Sequence, residues 1–212
     1  MSEMALSVKV RKAKLVMVGD TSVGKSSICV RFAKGSFTEY NESTIGAAFF
    51  TQSLTTDDGN VKFDVWDTAG QERYHALMPM YYHGASAAVV VFDITRYETF
   101  ERAKMWIKEL KEGTSDDCVI TLVGNKIDKH TERDPLNDHA MIDKFVKENN
   151  LLYMETSAKT NVNIRQLFVM IANALLALPE KKDPTDPDDL ILTDPEYDEP
   201  FEKRKCNNCV IL

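Results

Sequence analysis

Between the apolar run Ala13–Val18 and the amphipathic stretch Gly24–Ala33 the chain reads Gly19-Asp20-Thr21-Ser22-Val23-Gly24-Lys25-Ser26. This is a full Gly-x4-Gly-Lys-Ser/Thr pattern, placed where a strand hands over to a helix. In that context successive backbone N–H groups point inward and, with the helix N-terminus, form an anion nest. Here the nest spans Ser22, Val23, Gly24, Lys25, Ser26 and Ser27. Lys25 can neutralise the outer phosphates of a nucleotide, and Ser26 offers a hydroxyl to Mg²⁺. The pattern is common to kinases, ATPases and GTPases, so base and chemistry must be read elsewhere.

From Lys9 to about Leu178 short β-rich runs alternate with longer amphipathic stretches, the pattern of a mostly parallel sheet with helices on both faces. The class is α/β. Strands are predicted at Ala13–Val18, Ala47–Thr55, Val61–Asp67, Ala87–Asp93, Val119–Gly124 and Leu152–Glu155. Asp57-Asp58-Gly59-Asn60 supplies a hairpin turn, which makes the second and third strands the antiparallel pair. Helices are predicted over Gly24–Ala33, Tyr97–Glu112, Asp134–Asn149 and Val162–Leu178. In the last, Ile164, Leu167, Phe168, Ile171, Leu175 and Leu178 recur at helical spacing and read as core.

Two later stretches select the base. Asn125-Lys126-Ile127-Asp128 follows the fifth strand, where open α/β sheets bind ligands at the carboxyl ends of their strands. A carboxylate at Asp128 can accept both N–H donors on the guanine edge, a pair adenine does not present, so the wrong base leaves a buried acceptor unpaired. Asn125 can bond the base and brace the phosphate loop, the Lys126 stem can cover one ring face, and Phe37 can cover the other side. Glu155-Thr156-Ser157-Ala158-Lys159 ends the sixth strand; the Ala158 N–H can donate to the guanine carbonyl, Ser157 can brace the loop, and Lys159 completes the pocket.

On these motifs the chain resembles the Ras superfamily of GTPases over about residues 12–178. "WDTAGQERY" (Trp66–Tyr74), "FDIT" and the two-cysteine tail resemble the Rab family within it. "TIGAAFFTQ" (Thr44–Gln52) and "ERYHALMPMYYHGASAA" (Glu72–Ala88) are similar to its early-endosomal, Rab-five-like branch. The resemblance implies a P-loop GTPase fold and a GTP/GDP switch with Mg²⁺ held by Ser26, Thr44 and, through water, Asp67. It implies that the backbones of Thr44 and Gly70 contact the γ-phosphate, so that phosphate loss loosens Phe37–Gly46 and Ala69–His83 together. Gln71 is then the catalytic residue that orients the attacking water. Phe49, Trp66 and Tyr81 match the aromatic positions that present the nucleotide state to effectors. The implied partners are a guanine-nucleotide exchange factor, a GTPase-activating protein, a GDP-dissociation inhibitor or escort protein, and effectors; the protein is expected to act as a monomer.

Slow unaided hydrolysis is expected. The first switch, Lys34–Gly46, holds no arginine to act in cis, and an arginine supplied in trans is worth roughly 10³–10⁵ in rate. Thr21 and Ser22 also stand where many relatives carry glycines, and their bulk crowds the water and Gln71.

With 43% hydrophobic and 28% charged residues, 212 residues suffice for one globular body. The net charge of −7 is uneven: Asp183–Glu202 carries nine acidic residues and no basic one, and removing them leaves +2 for the rest. No basic stripe for nucleic acid is present. Residues 1–8 read as a flexible N-terminus, 9–179 as the GTPase domain, 180–205 as an acidic, proline-rich linker and 206–212 as a lipidation tail. No signal pattern opens the chain, the apolar run Ala85–Ile94 is half the length of a spanning helix, and Cys29 and Cys118 read as reduced core residues, all of which suit the cytosol. The ending Cys206-Asn207-Asn208-Cys209-Val210-Ile211-Leu212 permits half a zinc site, a redox pair, a lipid-acceptor box or a frayed end. No second Cys or His pair supports zinc, and no helix follows the cysteines as redox chemistry requires. Leucine in last place favours geranylgeranyl on Cys209, and resemblance to Rab tails adds a second lipid at Cys206. The tail points to the cytosol and the cytoplasmic face of endomembranes, and the resemblance to the early-endosomal branch implies early endosomes in particular.

Two alternatives to the switch are a P-loop kinase or ATPase, which Asp128 and the Asp67–Gln71 array oppose, and a nucleotide-binding scaffold without turnover, which Gln71, Thr44 and Asp67 oppose. The four histidines, His75, His83, His130 and His139, read as solvated surface, with no metal spacing.

Overall fold

The computed structural model describes residues 10–39 and 42–179. The expectations for residues 1–8, for the linker and for Cys206 and Cys209 lie outside the described residues. Six strands form one sheet in the order β2-β3-β1-β4-β5-β6: β1 Val10–Gly19, β2 Ala47–Thr56, β3 Gly59–Thr68, β4 Ala87–Asp93, β5 Val119–Asn125 and β6 Leu152–Thr156. The β2–β3 pair is antiparallel, joined across Asp57-Asp58, and every other pairing is parallel. The predicted strands are all present, most extended by one to three residues.

Strand alternation explains the two-layer core. In β1, Leu15 and Met17 face one layer and Val16 and Val18 the other. The central strand β4 is buried along its whole length, as expected of a parallel strand covered on both faces. One layer is closed by α1 (Lys25–Lys34) and α5 (Ile164–Ala177), through Ile28, Leu167, Phe168 and Ile171. Phe32 stacks on Phe168 at 3.6 Å between ring centroids. The other layer is closed by α2 (Met78–Tyr82), α3 (Tyr97–Gly113) and α4 (His139–Glu148), through Tyr82, Phe100, Ile107 and Ile142.

The third predicted helix is corrected: α4 begins at His139, not Asp134. Pro135 disfavours helical backbone at the residue before it. Asp134 instead accepts from the Tyr97 and Leu136 N–H groups, and the Asn137 side chain donates to the Ile94 carbonyl at 2.9 Å, so this segment is a tether to the end of β4. Two short 3₁₀ turns, Glu72–Leu77 and Ile127–Glu132, and the five-residue α2 had no counterpart in the sequence pattern, being too short for a helical period to show. Cys29 is buried, whereas Cys118 is only half-buried at the edge of the second layer.

Candidate functional site

Both halves of the site hang from the carboxyl ends of β1, β3, β5 and β6, beside the point where the chain crosses from one side of the sheet to the other. The loop after β1 is held close on all sides. A Cβ on Gly24 would stand 2.2 Å from Asn125 Nδ2, and its φ of +101° is a conformation glycine adopts freely. Ser22 also has positive φ, +62°, so this loop holds a non-glycine residue in a costly left-handed turn. Lys25, only 5% exposed, donates from Nζ to the Gly19 and Asp20 carbonyls at 2.9 and 2.8 Å. Burial lowers its pKa to about 8, against the pull of Asp67 and Asp20. A lysine held so dry gains from any anion that enters the loop.

Three oxygens gather next to it. Ser26 Oγ and Thr44 Oγ1 are 2.8 Å apart, and Asp67 Oδ1 is buried without a hydrogen-bond partner. Burial raises the Asp67 pKa, while the Ser26 hydroxyl and the Lys25 charge oppose that rise. Two hydroxyls and an unsatisfied carboxylate oxygen are the donor chemistry of a small hard cation, and these three residues are the set that would hold Mg²⁺. Among the described residues no cluster of three or more His, Cys, Asp or Glu is placed to hold a metal.

At the other end of a cleft of about 370 Å³, Asp128 Oδ1 accepts from Ser157 Oγ at 2.5 Å, and Ser157 Oγ accepts in turn from the Thr160 N–H at 3.0 Å. Asn125 is buried; its Nδ2 donates to the Val23 carbonyl at 2.9 Å, and its Oδ1 accepts from Thr156 Oγ1 at 3.2 Å. One side chain thus ties the base loops to the phosphate loop. The Ala158 N–H leans on the same Oδ1 at a long 3.4 Å. Phe37, Lys126 and Lys159 line the cleft with Ala158 and Asp128. Ser22, Ser26, Ser27, Thr44, Gly70 and Gln71 line it at the phosphate end, so nearly all the proposed contacts meet in one groove.

A model of the Ras family matches residues 14–177, most of the described chain. The chain belongs to the Ras family. Its members are small GTPase switches that bind GTP and GDP, typically with Mg²⁺, hydrolyse GTP, and interact with exchange factors, activating proteins and effectors.

In this Ras-family protein three supporting residues escaped the sequence. Asp93, buried at the end of β4, accepts from the Thr95 N–H and hydroxyl and pairs with Lys126 Nζ at 2.6 Å. Burial alone would raise its pKa, but these donors outweigh it and hold the carboxyl below its usual range. The pairing fixes where the Lys126 stem runs. Arg31, near the end of α1, donates from Nε and Nη2 to the Ala158 and Lys159 carbonyls, both at 2.8 Å, and its guanidinium lies 5.8 Å from the Phe37 ring centre. Arg102 of α3 reaches Asp20 in the phosphate loop at 2.9 Å. Asp93 lies within "FDIT", but nothing local marks its pairing with Lys126, and an isolated arginine in an amphipathic helix carries no local signal.

Phe49, Trp66 and Tyr81 form one chain of rings, with centroids 5.1 and 5.7 Å apart. Phe49 is 54% exposed and Trp66 partly covered, so the row runs from solvent into the sheet edge. Ile45, Leu77 and Met80 are also exposed on the segments that flank the cleft.

Proposed function

We propose that this Ras-family GTPase is a Rab-type switch of vesicle traffic, acting on the endocytic, early-endosomal route and recruiting effectors in its GTP state. The observation that carries the guanine assignment is the Ser157-oriented Asp128 carboxylate, set in the same groove as Lys25 and the Ser26–Thr44 pair. The Rab assignment rests on the resemblance of the switch sequences, supported by the aromatic row between them, exposed at Phe49.

In this mechanism the loop N–H groups and Lys25 bind the β- and γ-phosphates, and Ser26, Thr44 and, through water, Asp67 would hold the metal. Bound Mg²⁺ supplies charge neutralisation at the transferring phosphoryl group. Gln71 orients a water whose oxygen bonds to the γ-phosphorus as the bond to the β-phosphate bridging oxygen breaks, leaving GDP and phosphate. The Thr44 and Gly70 backbones sense the γ-phosphate, so its release frees both switches. Unaided turnover is slow, because no arginine of the first switch reaches the site, and an activating protein accelerates it. Prenyl groups on Cys206 and Cys209 anchor the protein to the cytoplasmic leaflet, since one chain alone gives marginal binding, and a dissociation inhibitor or escort protein shields those lipids off the membrane.

The test measures GTP and ATP affinity and γ-phosphate release for wild type and Gln71→Leu, together with membrane retention of Cys206→Ser in cells. Guanine selectivity, slow release further suppressed by Gln71→Leu, and a cytosolic Cys206→Ser are expected. Equal affinity for ATP and GTP sinks the switch, and unchanged retention of Cys206→Ser sinks the two-lipid anchor. Binding without hydrolysis, even with activating proteins present, favours the scaffold.

A further inference from the structure

Arg102, Trp106 and Glu109 lie on one stripe of α3, at spacings of four and three residues. Each meets the 3₁₀ turn that follows Gln71 or the short helix beyond it. Arg102 stands 3.7 Å from Glu72, Trp106 lies 4.8 Å from the His75 ring, and Glu109 pairs with His75 Nε2 at 3.2 Å and accepts from the Tyr82 hydroxyl at 3.2 Å. Arg102 does more than dock the switch. Its Nη1 also donates to Asp20 Oδ1 at 2.9 Å, and that same oxygen accepts the Thr21 N–H at 2.6 Å. Arg96, the residue just before α3, donates to the Thr21 carbonyl at 3.2 Å. The helix therefore grips the phosphate loop and the residue after Gln71 with one guanidinium. The gap it spans is narrow: a Cβ on Gly70 would fall 2.5 Å from the Asp20 backbone.

We infer that Arg102 is a positioning residue for GTP hydrolysis, holding Glu72, and through it Gln71, in register with the phosphate loop. Both carboxylates meet Nη1, Asp20 at hydrogen-bond distance and Glu72 as a longer ion pair, and that nitrogen carries two N–H groups on a rigid planar head. The inference rests on Gln71 as the water-orienting group. Glu72 is 86% exposed, so the Arg102–Glu72 arm is solvent-screened and its effect on rate is modest.

The test is single-turnover hydrolysis in the full-length protein preloaded with GTP, with GDP and GTP dissociation rates measured in parallel. Arg102→Ala is expected to slow hydrolysis about three- to fivefold while leaving nucleotide dissociation within about twofold. Arg102→Lys recovers part of the loss. Glu72→Gln, a surface change that leaves Asp20 and its partners intact, slows hydrolysis in the same direction, and adding Arg102→Ala to Gln71→Leu produces no further loss. A fall in hydrolysis matched by an equal rise in dissociation overturns the inference and makes Arg102 a prop of the phosphate loop alone. Unchanged hydrolysis in Glu72→Gln also overturns it, as does an additive loss in the double variant. If Gln71→Leu itself hydrolyses normally, the assignment of Gln71 fails instead, and the wild-type to Arg102→Ala comparison reports that separately.

Discussion

Ser26 Oγ and Thr44 Oγ1 stand 2.8 Å apart although they are eighteen positions apart in the chain, with most of α1 between them. The first belongs to the phosphate loop, anchored to the sheet. The second belongs to the connection between α1 and β2, whose described residues form neither helix nor strand. Their meeting point lies beside the unsatisfied Asp67 oxygen, and in the proposed mechanism it is there that nucleotide state is converted into loop position.

Thr44→Val removes the hydroxyl of the second partner and keeps the shape. A hydrogen-bonding group facing a charged ligand contributes about 1.5–3 kcal/mol, so the Mg²⁺ concentration that half-protects bound GTP should rise roughly tenfold or more. Bound GDP should change little. Titration of nucleotide release against Mg²⁺ checks this, and equal effects on both nucleotides would contradict the assignment of Thr44 to the γ-phosphate side.

Ser157→Ala leaves Asp128 without its hydroxyl donor and the Thr160 N–H without its acceptor. Loss of guanine affinity of about 1–2 kcal/mol is expected, with ATP binding unchanged. Asp128→Ala should cost more, on the order of 3–6 kcal/mol, because both base-edge bonds go. Isothermal titration with GDP and ADP separates the two variants, and a larger loss in Ser157→Ala would reverse their roles.

Lys25 links phosphate binding to pH. Its pKa in the folded, nucleotide-free chain is lowered to about 8 by burial, from an ordinary 10.5. Between those values the unfolded chain holds the proton and the folded one has lost it, so stability rises with pH across this window. Below about pH 8 the lysine is charged in both states and its burial cost, roughly 2–4 kcal/mol, is fully expressed. Lys25→Met should therefore stabilise the nucleotide-free protein at pH 7 by an amount of that order while abolishing tight nucleotide binding. Urea denaturation of both proteins at pH 7 and pH 10 checks the sign; a difference that does not shrink at pH 10 would refute it.

Gly70→Ala places a methyl 2.5 Å from the Asp20 backbone and 2.6 Å from Lys25 Nζ. Backbone cannot yield as a flexible side chain can, so the turn carrying Gln71 must lift from the phosphate loop. The expected result is slower hydrolysis, by about tenfold or more, with the fold's melting temperature lowered by only a few degrees. Near-wild-type hydrolysis would mean that the turn does not need this closeness.

The sequence alone determined the chemistry of each loop. Gly19–Ser26, Asn125–Asp128 and Glu155–Lys159 are contiguous, and contiguous spacing sets which N–H groups, hydroxyls and carboxylates a strand-to-loop exit can present. It also determined the sheet, because β-rich runs and the Asp57-Asp58 hairpin leave their pattern in hydrophobicity and turn residues. Tertiary structure decided what those loops lean on. Asp93 beneath Lys126, Arg31 behind Ala158 and Arg102 across Asp20 and Glu72 join residues 30 to 127 positions apart, or reach from a helix face to a loop. Such partners carry no local signature, since any exposed arginine in an amphipathic helix satisfies the same pattern. Only the strand order β3-β1-β4-β5-β6, which brings five carboxyl ends to one edge, tells which of them reaches the site. The start of α4 belongs with them, because its position was set by Asp134 and Asn137 binding the end of β4 rather than by periodicity.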